Sequence, residues 1–356
     1  MIDKGIQIKN IFYMLSYSFR ILQQNNYKKV LEEEFDNADD LLAEILYLGI
    51  SHQIKQGLKK DYINISDEIK TIKGRINIRD SIKLFAQNKE SINCSFDDFS
   101  ENIIFNQILK STIHKLIKQK TVKEPRKKQL KSLNNHFEDI DLVEYQNIDW
   151  TTLSFDKNDQ TYVMLLNLCK MISNNLIVSE STGNKMHVIF GDKEMDLVFQ
   201  NFVLNYYREY LKKNEIHGYV AKPSQIKRAI DYTKYHEGTA FLPELHTDIT
   251  ISSSEKTLII DTKYYKSVLS SNFGKKEYDS ANVNQIHEYV NQYSYRNKDK
   301  TVAGMLLYAK TDEDTQPHTK VFEMGHWFHV ETLDLNTDFK HITKQLDDKL
   351  TDALLN

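Results

Sequence analysis

Cysteine is nearly absent from this chain: Cys94 and Cys169 are the only two in 356 residues, and no C-x-x-C spacing occurs. Two distant thiols cannot by themselves complete a four-cysteine zinc or iron–sulfur site, and they suit buried thiols in a reducing cytoplasm. No run of about 18 apolar residues occurs either, which argues against a membrane-spanning helix. The opening stretch MIDKGIQIKNIFYMLSYSF is partly apolar but carries early charge and lacks a small-residue cleavage site, so a secretory leader is not expected. G-x-x-x-x-G-K-[ST] is missing, and with it any visible nucleotide-binding loop; G-x-S-x-G is missing as well. Neither a fixed-period repeat nor a low-complexity tract is present.

What is present is the balance of a soluble globular protein, with 40% hydrophobic residues, 27% charged residues and a net charge of -3. A near-neutral total leaves DNA binding open, because a local basic groove is sufficient. The length allows two domains. Residues 7–57 place apolar residues three and four apart, which predicts helices with Asp39 or Asp40 as a cap and the acidic LEEEFDNADD as a solvated connection. YINISDEIKTIKGRINIRDSIKLF alternates around Gly74, predicting short strands and a turn before a helix. SENIIFNQILKSTIHKLIKQ follows as a long helix capped by Ser100, and KQKTVKEPRKKQLK is a basic tract that reads as a solvated helix end before it reads as a phosphate contact. STGN, 181–184, is a plausible linker.

Beyond about residue 185 the pattern becomes helix (EMDLVFQNFVLNYYREYLKK), two strands (LHTDITIS and KTLIIDTKYY), helix (ANVNQIHEYVNQYSYR) and strand (TVAGMLLYA). That is a mixed α/β arrangement around one sheet. A hairpin turn centred on Ser254 and Glu255 sets Asp248 opposite Asp261, where directly facing residues have Cβ atoms about 4.5–5.5 Å apart. Lys263, two residues on, projects to the same face. Two carboxylates so close repel unless a cation neutralises them, and hard oxygen ligands at that spacing suit Mg²⁺. The plain alternative is a solvent-facing hairpin edge. Against it stands the apolar run Leu258, Ile259, Ile260, which marks a strand covered on both faces. His326 and His329 of HWFH, three apart on a strand, face opposite sides and suit packing rather than zinc.

TDITISSSEKTLIIDTKYYKS, preceded by LPEL, resembles the catalytic core of the McrC family, endonuclease subunits of modified-cytosine restriction systems within the PD-(D/E)xK superfamily. IKNIFYMLSYSF, IKGRINIRDSI, SFDDFSENIIFNQILKSTI and EMDLVFQNF resemble family segments in the same order, so the likeness spans nearly the whole chain. The resemblance implies a helical N-terminal partner-binding domain with short strands over 1–185, and a PD-(D/E)xK-type domain with a central mixed sheet flanked by helices over 186–356. It implies Asp248 and Asp261 as Mg²⁺ ligands, Lys263 as the catalytic lysine, and Gln285 and Tyr289 of NQIHEY as a Q-x-x-x-Y pair beside the site. It also implies a McrB-like AAA+ GTPase ring as partner and double-stranded DNA with modified cytosine as substrate, in the cytoplasm.

One departure stands out: FQNF puts Gln200 where many superfamily members carry a glutamate, and an amide is a poorer metal ligand. Glu194 and Glu244 are the nearby acids in sequence that would substitute, and His246 falls across the hairpin from Lys263 as a supporting group. Lys73 and Arg75, flanking Gly74, present positive charge to a partner or simply flank a β-turn. Two other functions fit the same sequence: a non-catalytic adaptor that activates an AAA+ NTPase, and a stand-alone DNA repair nuclease.

Overall fold

The computed structural model describes residues 2–355 apart from 4–5, 25–26, 183–191, 235–236, 266 and 273–274. These fall into two compact units, one formed by 1–41 with 178–356 and the other by 42–177. The chain opens with the paired β1 (Ile2–Asp3) and β2 (Ile6–Gln7), then α1 (Ile8–Ser18), the short α2 (Lys28–Glu32) and α3 (Ala38–Gln56). The cap of α3 is Asn37, whose Oδ1 accepts from the Asp40 amide at 2.9 Å. Asp39 and Asp40 are therefore not caps, and they are buried rather than solvated.

In the unit of residues 42–177, β3 (Asp61–Ile69), β4 (Arg75–Ile76) and β5 (Ile92–Ser100) make an antiparallel sheet in the order β3, β5, β4. Its connections are polar. Asn77 Nδ2 donates to Ser66 Oγ, Asn93 Oδ1 and Ser95 Oγ, and Asn64 donates to Asp97. The helix α4 (Ile78–Ala86) turns Ser81 toward this sheet, where its hydroxyl reaches the Asn93 carbonyl. Its apolar stripe Ile78, Ile82 and Phe85, spaced for one helical face, is 70%, 60% and 56% exposed. Gly74 sits at φ +68, and a Cβ there would stand 2.8 Å from the Phe96 Cβ, so the turn admits only glycine without displacement.

The remaining helices of this unit are α5 (Ile104–Lys118), α6 (Glu124–Leu133) and α7 (Gln160–Thr182). Ser100 does not cap α5; it closes β5, and its hydroxyl accepts from the Asn102 amide in a local turn. The basic tract is largely α6, with Pro125 in its first turn. Arg126 there is buried in an ion pair with Glu44 at 2.8 Å, a structural use of one of the tract's charges.

The other unit is built on α8 (Asp192–Lys213) and a six-stranded mixed sheet. Its strands are β6 (Val220–Ile226), β7 (Leu245–Ser252), β8 (Lys256–Lys263), β11 (Thr301–Ala309), β12 (Thr319–Glu323) and β13 (His326–Leu333), in the order β12, β13, β11, β8, β7, β6. A small hairpin of β9 (Leu269–Asn272) and β10 (Lys275–Tyr278), the helix α9 (Ser280–Arg296) and the helix α10 (Phe339–Leu350) complete it. β11 runs parallel to β8 and β13, and the other neighbours are antiparallel.

Alternation along the strands decides the two faces. Ile259, Val302, Leu306, Phe328 and Val330 pack with Ile286, Tyr289 and Val290 of α9. Leu258, Ile260, Met305 and Leu307, also fully buried, point the other way, toward the side of α8 and α10. Gly304 lets α9 come close: a Cβ there would stand 2.8 Å from Val290 Cγ2 and 2.9 Å from Ile286 Cγ1. Asp279 caps α9 by accepting from the amides of Ala281 and Asn282.

The division expected at 185/186 lies outside the described residues, and the first 41 residues side with the later unit instead of with 42–177. The reason is packing across long sequence separation. Asn205 of α8 donates to the Tyr17 carbonyl at 2.9 Å, and Asn10 donates to the carbonyls of Leu335 and Thr337 at 2.8 and 2.7 Å.

Candidate active site

The β7–β8 hairpin turns through Ser253–Lys256, where the Ser253 amide donates to the Lys256 carbonyl at 2.9 Å, and its ladder runs Ser252↔Thr257 to Ile249↔Ile260. One further step along that register would set Asp248 against Asp261, the pairing expected from the sequence, but the ladder ends at Ile249↔Ile260. Against β6 the register shifts between Lys222 and Ser224, so Asp248 and Ile249 together oppose the single Pro223. Proline has no N–H to pair, and a bulge of two residues against one bends the strand and re-aims a side chain. Asp248 Oδ2 accepts from the Thr262 amide at 2.7 Å and from Thr262 Oγ1 at 2.8 Å, so the carboxylate takes up the β8 amide that a regular ladder would have used.

Asp261 lies at the far end of the buried strand and is 1% exposed. Its Oδ2 forms an ion pair with Lys263 Nζ at 2.8 Å. Burial and then the charge of Asp248 push its pKa up to about 6. Lys263 is held above its ordinary value: burial pulls it down, but the Asp261 charge and hydrogen bond outweigh that. The ammonium also donates to Gln285 Oε1 at 3.1 Å, and Gln285 Nε2 donates to the Tyr289 hydroxyl at 2.8 Å. Gln285 and Tyr289, one turn apart on α9, thus form a short relay to the lysine.

The helix α8 contributes an acid that sequence reasoning passed over. Asp196 Oδ1 accepts from the Tyr264 amide at 3.1 Å, one residue beyond Lys263. Burial, and secondarily the Asp248 charge, raise its pKa, and it in turn raises that of Asp261. Gln200 is half-buried one turn further along α8 and hydrogen-bonds to none of these side chains. The signal was available: Asp196 and Gln200 are four residues apart and share a helix face, so an acid one turn earlier occupies the same side.

Other sequence candidates fall elsewhere. His246 does not reach Lys263; it is exposed, bonds Glu244 at 3.1 Å and pairs in register with Gln225. His326 bonds the Val302 carbonyl, and His329 is buried near Asp352, which is packing, as expected. Lys73 lies over the Phe96 ring at 4.0 Å and 3.7 Å from Asp98, while Arg75 remains exposed on β4. Among the described residues no three His, Cys, Asp or Glu side chains come close enough to share one ion, so the acids that would hold a metal are the pair Asp248 and Asp261, with Asp196 outside it. The mutual repulsion of the buried acids fits a hard cation.

The chain belongs to the family of McrBC 5-methylcytosine restriction system components, which it matches over residues 3–309. It is 30% identical over 326 residues to the type IV methyl-directed restriction enzyme EcoKMcrBC of Escherichia coli (strain K12), covering 90% of this chain and 91% of that one. Among solved structures it is similar to a chain in a half-complex from the tetradecameric assembly of Thermococcus gammatolerans McrB AAA+ hexamers with bound McrC. There the TM-score is 0.49 and the identity 12%, over 97% of this chain and 75% of that chain. A second likeness, to the T. gammatolerans McrBC complex solved by cryo-electron microscopy, has a TM-score of 0.37 and 12% identity over 61% and 59% of the two chains. No helix among the described residues is long and apolar enough to cross a membrane.

Proposed function

We propose that this chain is the Mg²⁺-dependent DNA endonuclease subunit of a GTP-dependent, methylcytosine-directed restriction complex, and that it stimulates the GTPase of an AAA+ partner. The observation that carries the reading is the state of Asp261: a carboxylate buried at the end of a central strand, repelled by Asp248 and Asp196 and paired with the single ammonium of Lys263. Three acids close to one lysine leave negative charge in excess at that depth, which is costly unless a further cation offsets it. Asp248 and Asp261 would hold Mg²⁺, which supplies an activated water and stabilises the charge that develops on the phosphate.

The chain's own groups do the rest. Thr262 fixes the Asp248 carboxylate through two hydrogen bonds, leaving its other oxygen to the cation. Lys263, kept protonated by Asp261, offsets negative charge on the phosphodiester, and Gln285 with Tyr289 holds the ammonium in place. Partner docking is assigned to the unit of residues 42–177, whose α4 offers Ile78, Ile82 and Phe85 to a protein surface. The GTP is bound by the partner.

The test is reconstitution of the chain with its AAA+ partner, GTP, Mg²⁺ and methylated or unmodified DNA. Asp261→Ala is expected to keep partner association and GTPase stimulation and to lose strand scission. Retained cutting by that variant refutes the site; stimulation without scission by the unaltered chain supports an adaptor instead, and scission by the chain alone supports a stand-alone nuclease.

A further inference from the structure

The connection from β6 to β7, residues 227–244, is far longer than the few residues that usually join antiparallel neighbours, and among its described residues the only helical turn is the 3₁₀ turn Thr239–Phe241. Because β6 and β7 are antiparallel and β8 returns beside β7, this loop leaves the sheet at the end where β8 delivers Asp261 and Lys263. Its foot is fixed. Arg228 Nε donates to the Pro243 carbonyl at 3.0 Å, drawing the two ends together, while its Nη1 pairs with Glu288 of α9 at 2.9 Å. Arg296, at the end of α9, donates to the carbonyls of Lys227 and Arg228, and Gln292 accepts from the Ala229 amide. The helix that clamps the foot is the one whose Gln285 touches Lys263.

The surface beside that foot, on the β7 side, is the reverse. Phe241 is 92% exposed, beside Leu242 at 48% and only four residues before β7 begins. A large aromatic held fully in water on a fixed foot has no folding use, and Lys227 at the same foot is exposed and cationic. Long loops anchored at both ends are typically functional. We infer that the described residues of this connection, 227–234 and 237–244, hold the DNA duplex beside the scissile phosphate as an arm, with Lys227 on the backbone and Phe241 inserted at a base step. Apolar side chains so inserted unstack the step and kink the duplex, which would steady the phosphate opposite Lys263. This rests on the nuclease reading above.

The test uses the full chain with Ca²⁺ in place of Mg²⁺ and a methylated duplex carrying 2-aminopurine as an unstacking reporter. The unaltered chain is expected to raise the reporter's fluorescence, and Phe241→Ala to abolish that rise and weaken binding about 10-fold. Lys227→Ala is expected to weaken binding and flatten its salt dependence while keeping the fluorescence rise. Phe241→Ala that matches the unaltered chain in both readouts overturns the arm, as does an unaltered chain with no fluorescence rise. Lost partner association with unchanged DNA affinity also overturns it, since Phe241 then serves a protein. Asp261→Ala separates the two proposals: it should keep the fluorescence rise while losing scission, so a failure of the arm leaves the site standing and a failure of the site leaves the arm.

Discussion

The two sheets of this chain invert the usual division of polar and apolar residues in opposite senses. In the six-stranded sheet, charge goes inside: Asp261 and Lys263 close a strand whose Leu258, Ile259 and Ile260 are fully buried. Around the three-stranded sheet, oil goes outside: serines and asparagines knit the strands together while Ile78, Ile82 and Phe85 of the adjoining α4 face water. Buried like charges store repulsion that a cation can discharge, and exposed apolar stripes store area that a partner can cover. The first inversion suits chemistry and the second suits assembly, which is how the proposed function divides its labour between the units.

If that contrast is sound, the largest effect belongs to the buried charges. Asp261→Ala should lower strand scission in the reconstituted complex by about 10³-fold or more, with GTPase stimulation unchanged. A comparable loss of both activities would mean that the two units are not separable in function. Next comes the stored repulsion itself, visible without DNA. Asp261 has a folded pKa of about 6 against an ordinary 3.8, so its contribution to stability is fully present below about pH 4 and is lost as pH rises through about 6. Chemical denaturation in EDTA should show a fall of about 3 kcal/mol across that window, flattened in Asp261→Asn. Adding Mg²⁺ should recover more stability at pH 8 than at pH 5.

Asp196→Asn should be milder, about 10–100-fold in activity, with much of the loss recovered at higher Mg²⁺. A loss that no Mg²⁺ concentration relieves would move Asp196 from support of the cation to another role. The smallest effect is expected at the exposed stripe, where Ile82→Asp should weaken partner association by about 10-fold, measured by sedimentation or interferometry. Its melting temperature should barely change, because the residue is already in water. A marked loss of stability there would place the stripe in the fold rather than at an interface.

Local signals in the sequence carried the hairpin well. The turn at Ser254 and Glu255, the apolar run and the Asp-x-Lys tripeptide together define register and face, since a period of two leaves little choice. Long-range information was harder to read. That α1 belongs with the later unit rests on Asn205 and Asn10 meeting carbonyls nearly two hundred and more than three hundred residues away. Asp196 was hidden behind its neighbour Gln200 for a related reason: helix phase tells which face a residue is on, not which rung of the helix meets the strand. The bulge at Asp248 had its cue in Pro223, but a proline in a strand signals disruption without saying which residue opposite will be turned.

Gly304 gives the lysine's setting its tolerance. Because its lone hydrogen is all that separates β11 from Val290 and Ile286, the distance from sheet to α9 is set by the smallest residue available. One added methyl would lift the helix by tenths of an ångström, and Gln285 would travel with it. The gap through which a lysine is steadied is thus gauged from a strand that carries none of the reacting groups, and a thicker spacer there would detune the site while every polar residue in it stayed unchanged.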